Sequence, residues 1–111
     1  MDVTVNTVDN VTIIELNGDL DSNSAQQIQS QILTLAANHH RVLLDMSNVR
    51  YMSSAGLRLL LLIYRQVSEH VGHVGIFGLN DEVKDVMMIT GFLDFFATFD
   101  TRNDGVQALS A

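Results

Sequence analysis

The stretch Met46 to Val71, MSNVRYMSSAGLRLLLLIYRQVSEHV, restricts the fold more than any other part of the chain. The continuous apolar run Val42, Leu43, Leu44 leads into it, and such a run suits a central strand covered on both faces. Beyond a short polar turn, four consecutive leucines and Ile63 lie in a helix expected from Ala55 to His70. A helix this apolar must be buried around most of its circumference or must offer a patch to another protein. Leu61 is the candidate for that patch, and the alternative, that all the leucines are core, stays open.

The turn carries two adjacent serines, Ser53 and Ser54, where the helix should begin. Serine is favoured at an N-cap because its side-chain oxygen accepts a hydrogen bond from an otherwise unpaired amide of the first turn. Ser54 fits that role, with Ala55 opening the helix. The same amides and the positive end of the helix dipole make the spot a seat for an anion, so a phosphate on Ser54 is expected to cost the fold little. By helical spacing Arg58, Leu61 and Arg65 fall on the same side as Ser54. Asp45 interrupts the apolar strand near its carboxyl end, and in open α/β sheets sites gather outside the carboxyl ends of strands. The loop from Ser47 to Ser54 is therefore where a functional surface is expected.

The remaining elements follow from periodicity and punctuation. Val3 and Val5 begin one strand and Val11 to Leu16 forms the next, with Asp9-Asn10 as a tight hairpin between them. Asn17 to Ser24 is a polar connection, and Ser24 with Gln27 has the capping-box spacing that starts a helix. Ala25, Ile28, Ile32, Leu35 and Ala36 give that helix its apolar face. Asp21 is either a turn former or a residue that contacts the Ser53-Ser54 turn or a bound partner. His39 and His40 are adjacent, but local spacing places no third ligand, so no metal is expected there. His73 to Phe77 is a strand, with Gly72 as the stop of the preceding helix. Asn80 or Asp81 caps the next helix, whose Val83, Val86, Met87 and Ile89 or Thr90 are expected to face inward, and Gly91 ends it. Met87 and Met88 are expected as core fillers. Phe95 to Phe99 reads as a last edge strand, and Asn103 or Asp104 as the cap of a terminal helix carrying Val106 and Leu109. The expected fold is α/β: a single mixed β-sheet with an N-terminal antiparallel hairpin followed by βα units, residues 1–111 forming one domain.

Composition narrows the function. A net charge of −7 and a pI near 4.7 argue against sequence-independent binding to nucleic acid, which needs clustered Lys and Arg. The absence of cysteine excludes disulfides and thiolate ligands. No apolar run reaches the roughly 20 residues that span a bilayer, and MDVTVNTVD lacks the regions of a signal peptide; a cytoplasmic protein with no membrane partner is expected. There is no phosphate loop with its lysine, no serine beside a general base and no convincing carboxylate pair, so neither an enzyme nor a cofactor is expected.

The run DMSNVRYMSSAGLRLLL resembles the signature of STAS domains, above all the anti-sigma factor antagonists, and LNGDLD at Leu16 to Asp21 is similar to the family's second-strand exit. The resemblance implies a phosphoacceptor at Ser54, with Ser53 the less favoured choice because it stands where many members carry aspartate. It places the following small residue on Ala55, the Gly-Leu pair on Gly56 and Leu57, and an acidic residue near the switch on Asp21. The implied partner face comprises Asp21, Ser53, Ser54, Ala55, Gly56, Arg58, Leu61 and Arg65. The implied cycle has the unmodified form bind a GHKL-type serine kinase that doubles as an anti-sigma factor. Phosphorylation dissolves the complex, and a PP2C-type phosphatase restores the serine. The alternative within the same fold is a STAS interaction module that governs an effector other than a sigma factor through the same serine.

Overall fold

Asp9 and Asn10 adopt positive φ, 50° and 68°, as their short polar side chains permit, and close the hairpin. They join β1 (Asp2–Val8) antiparallel to β2 (Val11–Asn17), with Val8 opposite Val11 and Asp2 opposite Asn17. The structure is a computed structural model and describes residues 1–110; Ala111, the last residue of the expected domain, lies outside them. After the hairpin come α1 (Ser22–Asn38), β3 (Arg41–Asn48), α2 (Ser54–Glu69), β4 (His73–Phe77), α3 (Asp81–Ile89), a 3-10 turn at Phe92–Phe95, β5 (Ala97–Phe99) and α4 (Arg102–Ser110).

The five strands form one mixed sheet in the order β1-β2-β3-β4-β5, parallel from β2 onward. Crossovers that all step the same way along a sheet place their helices on one face. Accordingly α1, α2 and α3 pack over Ile14, Leu16, Val42, Leu44, Met46, Val74 and Ile76. The last helix, α4, covers the opposite face, where Val106 and Leu109 meet Val11, Ile13, Leu43 and Phe77. β3 is thus buried on both sides, and Val42 to Met46 are all buried. Side chains of β3 alternate between the two layers, which is why Val42, Leu43 and Leu44 are apolar without alternation and Asp45 alone interrupts the buried run.

Several local expectations are corrected. Helix α1 is capped by Asp21, not Ser24: the Asp21 carboxylate accepts from the Ser24 amide at 3.0 Å and the Asp21 amide donates to Ser24 Oγ at 2.9 Å. Ser24 is therefore the N3 residue of a reciprocal box that starts three residues earlier than expected. Leu35 is only half-buried, while Ala25, Ile28, Ile32 and Ala36 form the buried stripe. At the end of α2 the left-handed residue is Val71 (φ 57°), not Gly72. The amides of Val71 and Gly72 donate to the carbonyls of Ser68 and Val67 in a Schellman motif. Gly72 is needed for a different reason: a Cβ there would lie 2.7 Å from the His40 carbonyl oxygen.

In α3, capped by Asn80, only Val83 and Met87 are buried. Val86, Met88 and Ile89 are exposed, because nine residues of helix cover the sheet edge with one narrow stripe. The expected strand from Phe95 shrinks to Ala97–Phe99, since Phe95 belongs to the 3-10 turn and stacks on Tyr64 with ring centroids 5.2 Å apart. The first turn of α4 is held by Thr101, whose hydroxyl accepts from the Asp104 amide at 3.1 Å, not by Asn103 or Asp104.

Candidate functional site

Two loops leave the carboxyl ends of adjacent parallel strands, Gly18–Asp21 after β2 and Val49–Ser53 after β3, and main-chain bonds zip them together. The Leu20 amide donates to the Tyr51 carbonyl and the Ser53 amide to the Leu20 carbonyl, both at 2.9 Å, so that Leu20 and Met52 form an isolated parallel bridge. Below them the Gly18 amide donates to the Asn48 carbonyl at 3.2 Å, and Asn48 Nδ2 donates to Asn17 Oδ1 at 2.6 Å. Leu20 and Met52 are buried. Their burial anchors the pair of loops to the core while the polar residues around them stay at the surface.

This zipper decides what each serine does. Ser53 is the cap of α2: its Oγ accepts from the Gly56 amide at 3.4 Å and donates to the Leu20 carbonyl at 3.4 Å, and it is half-buried. The expectation that Ser54 caps the helix is therefore corrected by one residue. Ser54 is the first helical residue and is exposed. The first intrahelical bond runs from the Leu57 amide to the Ser53 carbonyl, so the amides of Ser54 and Ala55 precede the bonded part of the helix and sit at its positive end.

The other expected site residues separate into two groups. Arg58 and Arg65 are exposed on the same flank as Ser54, with Leu61 half-buried between them, so Leu61 is neither the open patch nor the full core residue expected. Leu59 and Leu60 are buried, and Leu62 is half-buried. Ala55 is half-buried and Gly56 is buried. Gly56 is thus no surface contact. A Cβ at this position would lie 2.6 Å from the Leu20 carbonyl oxygen and 2.8 Å from Met52 Cγ, so its missing side chain lets α2 seat against the zipped loops.

Asp21 lies beside Leu20 and is the cap of α1. Hydrogen bonding, first from the Ser24 amide, holds its carboxyl below the ordinary carboxylate pKa. A lowered folded-state pKa means that this cap stabilises the fold above the ordinary carboxylate pKa, and that its contribution is lost as pH falls through the lowered value.

One residue of the site was hidden from sequence reasoning in its second role. Asn80 caps α3 through Oδ1, which accepts from the Val83 amide at 2.8 Å. Its Nδ2 donates to the carbonyls of Val49 and Arg50, at 3.3 and 3.1 Å. The cap was legible in the residue type; the clamp was not, because its acceptors lie 30 residues away. Exposed Tyr51 was likewise unmarked. Among the described residues no group of three or more His, Asp or Glu side chains is placed to hold a metal ion, and no helix is long and apolar enough to cross a membrane.

The arrangement defines a class: an α/β layer protein with an exposed hydroxyl at a helix N-terminus, set in a hydrogen-bonded double loop at the carboxyl end of the sheet. The chain belongs to the STAS domain family, whose model matches residues 2–105. It is 31% identical over 109 residues to BtrV of Bordetella bronchiseptica, named as an anti-sigma factor antagonist, covering 97% of this chain and 94% of that one. The fold is shared with a Thermotoga maritima protein of the same designation (TM-score 0.91, 20% identity, 98% of this chain and 95% of the other). It is shared also with the anti-sigma factor antagonist SpoIIAA in its unphosphorylated form (TM-score 0.73, 17% identity, 96% of both chains). The phosphorylated form of SpoIIAA from Bacillus matches at TM-score 0.74 and 17% identity, over 96% of this chain and 98% of the other.

Proposed function

We propose that this protein is an anti-sigma factor antagonist controlled by reversible phosphorylation of Ser54. In its unmodified form it binds a GHKL-type serine kinase that doubles as an anti-sigma factor, and so frees a sigma factor. The kinase supplies ATP and the catalytic groups. Ser54 Oγ attacks the γ-phosphorus, the bond to the ADP leaving group breaks, and the hydroxyl proton passes to a base on the kinase. A PP2C-type phosphatase hydrolyses the ester and restores the serine. The protein itself is a regulator and not an enzyme, and it works in the cytoplasm.

The observation that carries this reading is the division of labour between the two serines. Ser53 is engaged in the cap and by the Leu20 carbonyl, whereas Ser54 is exposed at the head of the helix. A phosphate on Ser54 adds a charge of about −1.5 to −2 at the positive end of a helix, where the amides favour it. Dissociation then needs no refolding. The similar match of this chain to both forms of SpoIIAA agrees with a fold that accommodates the modification in place.

Mass spectrometry after incubation with the kinase and ATP tests the assignment. Phosphate is expected on Ser54, to be abolished in Ser54→Ala and retained in Ser53→Ala. The Ser54→Asp variant is expected to keep its circular dichroism and to lose kinase binding. Phosphate on Ser53, or equal kinase binding by wild type, Ser54→Ala and Ser54→Asp, would sink the proposal. Recovery of a target other than a sigma-binding kinase, released by the same substitution, would assign the switch to a different effector.

A further inference from the structure

The charge of this protein is divided between its halves. Residues 22–69, which contain α1, β3, the switch loop and α2, hold four of the six cations and two carboxylates, Asp45, which is buried in β3, and Glu69 at the far end of α2. The rest of the chain carries eleven carboxylates against Lys84 and Arg102. A molecule with net charge −7 thus keeps a sector of net +2. Helix α1 has no charged residue between Ser22 and Asn38, so the helix that flanks α2 neither adds to its cations nor balances them.

Within the sector the cations are not equivalent. Arg41 is half-buried and donates from Nη1 to the Ser110 carbonyl at 3.3 Å, toward α4. Arg50 shares a groove of about 820 Å3 with Asp19 and Glu82, so its field is met by two carboxylates. Arg58 and Arg65 are exposed on α2, two turns apart, with half-buried Leu61 and Leu62 between them. No acidic residue stands on α2 before Glu69, at its far end. Ser54 lies one turn before Arg58 on the same flank.

We infer that the exposed flank of α2 is a docking surface for an acidic face of a protein partner, with Arg58 and Arg65 as the residues that select it. This rests on the switch reading and adds the chemistry of the surface the partner must present. Two cations facing carboxylates steer encounter and fix orientation, and most of the chain's carboxylates lie off this flank. Modification then acts on the charge that attracts. A phosphate on Ser54 places about −1.5 to −2 charge one turn from Arg58, which cancels most of the field of the pair.

Titration of the purified, unmodified protein against its GHKL-type serine kinase at several salt concentrations tests the inference. Wild-type affinity is expected to fall as salt rises from about 50 to about 300 mM. The charge-reversed Arg58→Glu and Arg65→Glu variants are expected to bind about tenfold more weakly or worse, mostly through slower association, and Arg58→Gln/Arg65→Gln to lose most of the salt dependence. Both positions are exposed, so circular dichroism and unfolding midpoints stay near wild type. Salt-independent binding that survives both reversals overturns the inference.

Ser54→Asp in the same titration separates the two readings. If it alone loses binding, the docking chemistry fails and the serine switch stands; if only the arginine variants lose binding, the reverse holds. A partner-free arm uses a glutamate-rich peptide followed by backbone amide shifts. Shifts confined to residues 54–66 are expected, and uniform shifts, none, or equal shifts with a duplex DNA or a phosphatidylserine vesicle would overturn the assignment of an acidic protein face.

Discussion

The two ends of the sheet are built on opposite plans. Where the parallel strands finish, four helices begin, and each first turn is held by a side chain, Asp21, Ser53, Asn80 or Thr101. The loops there are bonded to one another by Leu20, Asn48, Ser53 and Asn80 across long sequence separations. At the other end α1 and α2 finish among all four histidines of the chain, His39, His40, His70 and His73. The bonds at that end are mostly main-chain: His73 amide to His40 carbonyl at 2.7 Å, and the Schellman pair at Val71 and Gly72. Val71 there holds a left-handed conformation that a β-branched residue adopts at a cost. Cross-loop polar bonds fix one loop relative to the next, and they are concentrated at the end that carries Ser54 and the proposed docking surface. Strain sits at the end where no such surface is read.

The sharpest way to break this contrast is to spoil the seat of α2. Gly56→Ala places a methyl group against the Leu20 carbonyl and Met52, neither of which can yield without opening the zipper. Overpacking of this kind costs about 1–3 kcal/mol, toward the upper end where the contact is with backbone. A large drop in the urea midpoint at unchanged m-value is expected, together with loss of kinase recognition. Wild-type stability in Gly56→Ala would show that the zipped loops are not rigid.

A smaller effect separates the two roles of Asn80. Asn80→Ala removes both the cap and the clamp, at a cost of about 1–2 kcal/mol. Asn80→Ser keeps an oxygen for the Val83 amide but has no second donor for Val49 and Arg50, so most of the stability is retained while the switch loop loosens. Native-state hydrogen exchange reads the difference. Faster exchange at the Leu20 and Ser53 amides is expected in both variants, with α3 protection lost only in Asn80→Ala. Unchanged exchange at Leu20 and Ser53 would remove Asn80 from the switch.

What sequence could and could not reveal follows the same division. The hairpin was legible because Asp9 and Asn10 advertise positive φ, and β3 was legible because a strand covered twice admits no polar alternation. The mixed sheet and the position of the loop between β3 and α2 followed from those. The caps of α1 and α2 were off by three residues and by one, since Asp21, Ser24 and Gln27 offer two overlapping box patterns and Ser53 and Ser54 are chemically identical, whereas Asn80 was in place as the cap of α3. Only the path of the incoming loop chooses among them, and that path is set by Leu20 bonding to residues more than 30 positions away. Met88 and Ile89 misled for a different reason: nine residues of α3 bury a stripe one residue wide per turn, and hydrophobicity alone does not tell its edge.

The last test addresses the far end, where the contrast predicts a gain. Val71 is 88% exposed, so its side chain contributes little burial, while its left-handed backbone costs about 1–2 kcal/mol for an L-residue. Glycine adopts that conformation freely but adds unfolded-state freedom worth roughly 0.5–1 kcal/mol. Val71→Gly should therefore raise stability by about 0.5–1 kcal/mol, seen as a higher urea midpoint at the same m-value. Phosphorylation of Ser54 and kinase affinity should not move, because no cross-loop bond of the switch end passes through residue 71. A fall in stability, or a change in the phosphorylation rate, would mean that the two ends are coupled through α2 and that the strain at Val71 is part of the switch.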